Sequence, residues 1–231
     1  MNDAQLPQMP LIDHIAQLIE RTYGFDSGLM PLGRFVVGDR GHLLVTEGRP
    51  VRQRVEHSGA GARLLLRELP RHDGWAAAIY LPNAMVTHLE QNDPRRVLGD
   101  ENIDAFATLV EEVDHLLTFA DRARSDGPEL SLLELEWHAG VTKYLVLSHF
   151  VGRLTKRSQL TTVERLFIEH HLFHKGDYEQ DDAELGARYR DATRLAVRFV
   201  RRLRPKNLPE RIEQLRRFHR ASHHEKLRQF S

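Results

Sequence analysis

The chain has no cysteine among its 231 residues. That absence removes disulfides, thiolate nucleophiles, iron–sulfur ligation and Cys-type zinc fingers, so any metal must be held by histidine and carboxylate. Lysine is also scarce, with 5 against 28 arginines. No apolar run approaches the roughly 18 residues that cross a bilayer. The first ten residues lack the basic and apolar regions of a secretory signal. These two absences predict a cytoplasmic protein with no membrane contact. Nor is there an excess of one charge, since 33 Lys and Arg face 33 Asp and Glu. A chain basic throughout, as a simple nucleic-acid coat would be, is excluded. With 41% hydrophobic residues the sequence is not that of a disordered chain, and its length allows one domain or two small ones.

Histidine is what the chain has in plenty, 14 residues of it. Glycine and proline are unevenly spread: residues 1–99 hold 10 of 15 glycines and 7 of 10 prolines. The fold class expected is therefore α+β, a small helix-plus-short-strand unit over 1–99 followed by a mainly helical bundle over 100–231, in one compact body or two lobes. In the first part, spacing predicts a helix over 11–23 stopped by Gly24. A hairpin is expected from 34–37 and 42–46 around Gly38–Gly41, and two more strands over 62–69 and 75–81. The glycine-rich stretch 58–62 lacks the third glycine of a dinucleotide fingerprint and reads as a link. From 101 on, helices are predicted to about 124 and then over 129–152, 161–174, 183–203 and 209–230.

Helix 129–152 is apolar on two sides. Trp137, Val141 and Tyr144 mark one face, and Leu135, Ala139 and Val146 the opposite one. Such a helix is central and buried, yet it carries Glu134, Glu136, His138 and His149. A buried carboxylate needs a partner, a proton or a metal. The preceding helix holds a matching run, Glu111-Glu112-Val113-Asp114-His115. If the two helices form an antiparallel hairpin, residues are level when their numbers sum to about 253, which sets His115 beside His138. Glu111 and His115, like Glu134 and His138, then stand one turn apart on a single face. On the next helix Val163, Leu166, Phe167, His170 and His174 share a face, whereas Glu169 and His171 lie off it and are expected to be exposed. His170 and His174 are spaced to chelate a borderline divalent ion. The candidate metal ligands are thus Glu111, His115, Glu134, Glu136, His138, His170 and His174, and zinc is the ion the set suits best. Of the pairs Glu111 or Glu112 and Glu134 or Glu136 one member each can ligate, and a carboxylate left unligated would take the proton. The alternative reading of the same residues is a buried polar network of Glu, His and Arg122.

The string EEVDH at 111–115 resembles the HExxH helix of zincin metallopeptidases with Glu in place of the first His. The resemblance covers about thirty residues. It implies a metal-dependent, peptidase-like hydrolase in which Glu111 and His115 ligate zinc, Glu112 is the general base, and Glu134 or Glu136 in the LELEWH run supplies a later ligand. The same string also looks like half of a carboxylate-bridged di-metal bundle, with Glu112 and His115 as its Glu-x-x-His, but a second such pair is absent.

Charge neutrality hides a division. Residues 1–130 hold 13 basic and 20 acidic side chains, while the last 46 residues hold 14 and 4. Arg190, Arg194, Arg198, Arg201 and Arg202 form a stripe on one side of helix 183–203 that can neutralise phosphates or dock an acidic partner. The second functional reading is accordingly a non-enzymatic interaction protein that binds an acidic protein or nucleic acid through its basic C-terminal helices. A homo-oligomer is compatible with either reading. His219, His223 and His224 lie among arginines and are expected at the surface. The acidic run 177–182 lacks the glycine of a calcium loop, and Asp181 or Asp182 reads as a helix N-cap.

Overall fold

A computed structural model describes residues 9–46, 61–69, 74–125, 130–175 and 183–230. The expected capping aspartates, Asp181 and Asp182, the acidic run 177–182 and most of the 58–62 link lie outside the described residues. The architecture is mainly helical α+β, as the composition predicts. α1 (Leu11–Tyr23) ends where predicted, at Gly24, whose φ of 74° is the left-handed conformation that closes a helix C-terminus. Its N–H then bonds the Glu20 carbonyl at 2.7 Å.

Strands β2 (Arg63–Leu69) and β3 (Gly74–Tyr80) pair antiparallel, with Leu64 opposite Ile79. The predicted hairpin at 34–46 is not formed. Instead a 3-10 turn at Leu32–Phe35 leads into β1 (Val36–Val37), which adds to β3 in parallel, and α2 (Asp39–Thr46) follows. Asp39 decides this local outcome. Its carboxylate sits in the first turn of α2 and accepts hydrogen bonds from the Tyr80 hydroxyl and the Asn83 N–H, which ties the helix start to the end of β3. α3 (Asn83–Gln91) is a further helix that the spacing analysis does not assign.

α4 (Ile103–Arg124) and α5 (Leu132–Thr155) form the antiparallel pair at the centre. The α5 start is fixed by Ser131, whose hydroxyl accepts the Glu134 N–H at 3.1 Å. α7 (Ala183–Leu203) packs closely along α5, and the approach depends on Gly140: a Cβ there would come 3.0 Å from the Ala196 Cβ. The sheet and α1 cover α4. One continuous apolar core links Ile15, Ile79, Val110, Trp137, Phe199 and Phe218, all at most 2% exposed. Each such side chain contributes about 1.5–3 kcal/mol by leaving water.

Two predicted helices are divided. Residues 209–230 break at Ala221 into α8 (Leu208–Arg220) and α9 (His223–Phe230), because Ser222 exchanges hydrogen bonds with Glu225 and starts a new helix. Residues 161–174 are α6 (Thr162–Glu169), opened by a Thr161–Glu164 capping box, and a π turn at His170–His174. The face expected inside is outside: Val163 is 76% and Leu166 60% exposed, and His170 and His174 face solvent. The side that turns inward carries Ile168, Glu169 and Phe173. Glu169 pairs with Arg204, just beyond α7, and His171 bonds Asp100 and Asp104 at the start of α4. Those ion pairs, and the extra residue that a π turn inserts, overrule the 3.6-residue stripe.

Candidate metal centre

Glu111 and His115 stand four residues apart, so both project from one face of α4, one turn apart. That face meets Glu136 of α5 and Tyr189 of α7. One ligand atom from each of Glu111, His115 and Glu136 lies within 4.8 Å of the other two, and all three residues are buried. His115 Nε2 is 3.8 Å from Glu136 Oε2, and its Nδ1 is 3.8 Å from Glu112 Oε2. Lys143, one helical level away, donates from Nζ to Glu111 Oε2 at 2.6 Å. Burial, and then the negative charges of Glu136, Glu111 and Glu112, push the Tyr189 phenol well above its ordinary pKa, so Tyr189 keeps its proton.

The donor set fits a divalent ion in kind and nearly in distance. Two carboxylates and an imidazole are hard and borderline ligands, which suit zinc and its first-row neighbours. Ligands about 2.1 Å from a tetrahedral ion are about 3.4 Å apart, so the His115–Glu136 pair must close by about 0.4 Å and the widest pair by at most about 1.4 Å.

The hairpin register holds, but the faces do not fall as expected. His115 lies level with α5 residues near 138, yet its partner is Glu136, and His138 points the other way. Two residues along a helix make somewhat more than half a turn, so Glu136 and His138 sit on opposite sides of α5. His138 joins a separate chain, buried except at its Asp121 end. Asp114 Oδ2 accepts from His138 Nδ1 at 2.8 Å, His138 Nε2 is 3.1 Å from His219 Nδ1, and His219 Nε2 is 3.0 Å from Asp121 Oδ2. Thr142 donates to Asp114 at 2.7 Å, which leaves Tyr23 to donate to Thr142 at 2.8 Å. Burial, partly offset by Asp114, lowers the His138 pKa to about 4, so its ring is neutral at pH 7. Burial works to raise Asp114, but His138, Thr142 and His115 outweigh it and hold the carboxyl below its usual range.

Glu134 is likewise removed from the metal set. Its Oε1 accepts from Lys226 Nζ at 2.6 Å and from Arg122 at 3.1 Å. Burial lowers the Lys226 pKa to about 8 against the upward pull of Glu134. His170 and His174 are exposed and take no part. Of the seven expected ligands the structure therefore gathers Glu111, His115 and Glu136, with Glu112 beside them. His219 is the residue that sequence reasoning misplaced, being 3% exposed. Leu215 and Phe218 carry the signal for it, since a residue four after Leu215 and next to Phe218 lies on the inner face of α8. The stripe Arg190, Arg194, Arg198, Arg201 and Arg202 lies on the solvent side of α7, and Arg194 pairs there with Asp191.

Among the described residues no helix is long and apolar enough to cross a membrane. Comparison with known proteins adds no relationship: no protein-family model matches the chain, and neither does any curated protein or solved structure.

Proposed function

We propose that the chain binds one divalent transition-metal ion, zinc by preference, through Glu111, His115 and Glu136. The observation that carries this reading is the convergence of those three buried side chains within 4.8 Å. Lys143 already supplies one cation to Glu111, and an ion at the centre would add a second for the buried carboxylates gathered there. A metal so held supplies Lewis-acid chemistry, as in metal-dependent hydrolases. Glu112 then serves as the proton acceptor, the role the zincin resemblance assigns it. Glu112 and His115 are 0% exposed, which favours a small substrate over a polypeptide.

The test is metal content and affinity. Protein stripped with EDTA, prepared without a histidine tag, should take up one equivalent of zinc. His115→Ala and Glu136→Gln should each lose at least about tenfold in affinity, the scale expected when one ligand of a set is removed. The exposed pair His170→Ala, His174→Ala should bind as the native chain does. Absence of stoichiometric uptake by a folded native chain, or unchanged affinity in both ligand variants, would overturn the reading.

A further inference from the structure

A second site stands apart from the metal centre. A cleft of about 800 Å³ opens between the C-terminal ends of α5 and α7, the 156–160 connection and the start of α8. Seven Lys and Arg side chains line it, and among the described residues no Asp or Glu does. Three of the seven are accounted for by the fold. Arg157 pairs with Glu164, Arg204 pairs with Glu169, and Arg211 donates to the carbonyls of Leu203, Arg204 and Lys206. This last arrangement closes the end of α7 and is what a basic residue near a helix C-terminus ordinarily does.

Four cations are not accounted for in this way. Arg153, Lys156, Arg165 and Lys206 have no carboxylate partner among the described residues, and Arg165 bonds only the Thr162 hydroxyl. Concentrating like charges on one concave surface costs Coulomb energy that a folded chain recovers when an anion enters. The field is felt by the neighbouring imidazole: burial, then Arg153, then His14, holds His149 below its ordinary pKa. Two cleft-lining residues also have polar atoms shielded from solvent and without a hydrogen-bond partner among the described residues, Ser148 Oγ and Arg204 Nε. Buried polar atoms in native proteins are nearly always satisfied, so a guest that brings acceptors fits here.

Shape decides what kind of anion. The cleft is concave, and its volume lies in the range of small-molecule sites. The α7 arginine stripe, by contrast, is an open convex face. Leu145, Leu160 and Val200 also line the cleft, so apolar surface accompanies the charges there. We propose that this cleft binds a small molecule bearing two or more phosphate groups. Guanidinium groups meet phosphate oxygens through paired donors, and several of them around one cleft favour polyphosphate over a single phosphate. The proposal is independent of the metal centre, none of whose residues lines the cleft.

The test is calorimetric titration of the full chain at low salt, with EDTA present so that no metal bridges protein and phosphate. The probes are inorganic triphosphate, ATP, inorganic phosphate and single-stranded oligonucleotides of increasing length. Triphosphate should bind at least about tenfold more tightly than phosphate and weaken as salt rises. Arg153→Gln with Lys206→Gln should lose about tenfold or more in triphosphate affinity. Arg190→Gln with Arg198→Gln, on the outer face of α7, should lose less than about twofold and controls for net charge. ATP binding tighter than triphosphate would assign the leucine-lined wall to a nucleoside, and equal binding would assign the site to the phosphate chain alone; both support the proposal. It is overturned by absence of triphosphate binding at low salt, by equal loss in the two double variants, or by affinity that climbs with oligonucleotide length and falls with the α7 variant.

Discussion

The two sides of the α4–α5 pair solve the same problem differently. On one side Asp114, His138, His219 and Asp121 form a chain whose links are all 2.8–3.1 Å. On the other, His115 faces Glu112 and Glu136 at 3.8 Å each, ion-pair distance rather than hydrogen-bond distance. Both sides are buried apart from Asp121, both combine carboxylate with imidazole, and both use residues at the same level of the hairpin. The difference is spacing. A chain closed at hydrogen-bond distance has no room for an ion among its members, whereas the wider-set donors around His115 are one small contraction from coordination geometry. The tight side is closed by its own partners, and the loose side is where a metal ion could be held.

The largest effect should come from removing a member of the tight chain. Asp114→Ala takes away the acceptor of both His138 and Thr142 and leaves their donors buried. It should cost about 3–5 kcal/mol in urea unfolding, because two buried donors each lose a hydrogen bond to a charged acceptor, worth about 1.5–3 kcal/mol apiece. Glu112→Gln, on the loose side, keeps shape and should cost less than about 1.5 kcal/mol. A reversal of that order would mean that the loose side carries the stability.

Next in size is the titration of Lys226, which docks on Glu134 beside the tight chain. Its pKa is about 8 when folded, against an ordinary value of 10.5 in the unfolded chain. Between those values the unfolded chain binds a proton that the native chain does not, so this group makes stability rise with pH across the window and fall as pH drops toward 8. Below the folded value both states are protonated and the contribution is flat. The full difference is about 3 kcal/mol. Subtracting the Lys226→Met stability from that of the native chain at pH 7.5 and pH 10 should show the native chain gaining most of that amount. An unchanged difference would mean that Lys226 is solvated.

The response to metal follows. Zinc at about 100 times its dissociation constant should raise native-chain stability by about 2.7 kcal/mol, because only the folded state assembles the site. Thermal unfolding with and without zinc reads this directly. Glu136→Gln should cut the increment to about 1.4 kcal/mol or less at the same zinc concentration, and His138→Gln, two residues along the same helix, should keep it whole. If both variants lose the increment, the two sides are one site.

How much of this was legible in the sequence follows from which physical rule governs each residue. Helical spacing placed α1, α4, α5 and α7 closely, and the antiparallel register of α4 and α5 followed from the short connection between them. The same register put His115 next to His138 in level. Choosing the partner needs the direction each side chain takes around α5, where residues 136 and 138 point to opposite sides, and that direction assigns His115 to Glu136. The residues at 39–46 could not be placed by alternation alone, because the contact that makes them helical is Asp39 with Tyr80 and Asn83, far along the chain. His219 was hidden by its arginine neighbours, which are exposed while it turns inward. In each case the deciding interaction is long-range, and local periodicity carries no record of it.

The smallest effect is expected where periodicity misled most. His170 and His174 extend the apolar stripe of α6 on paper, yet the π turn and the inward pull of Glu169 and His171 leave both exposed. Substituting both with alanine should change unfolding free energy by less than about 0.5 kcal/mol, as for ordinary surface positions. His171→Ala should cost more, because its ring bridges Asp100 and Asp104 at 3.0 and 3.1 Å and fastens the π turn to the start of α4. Urea unfolding of the two variants side by side separates the alternatives. If the double alanine variant is the more damaging one, the stripe faces the core after all, and the inner side of α6 has been assigned the wrong way round.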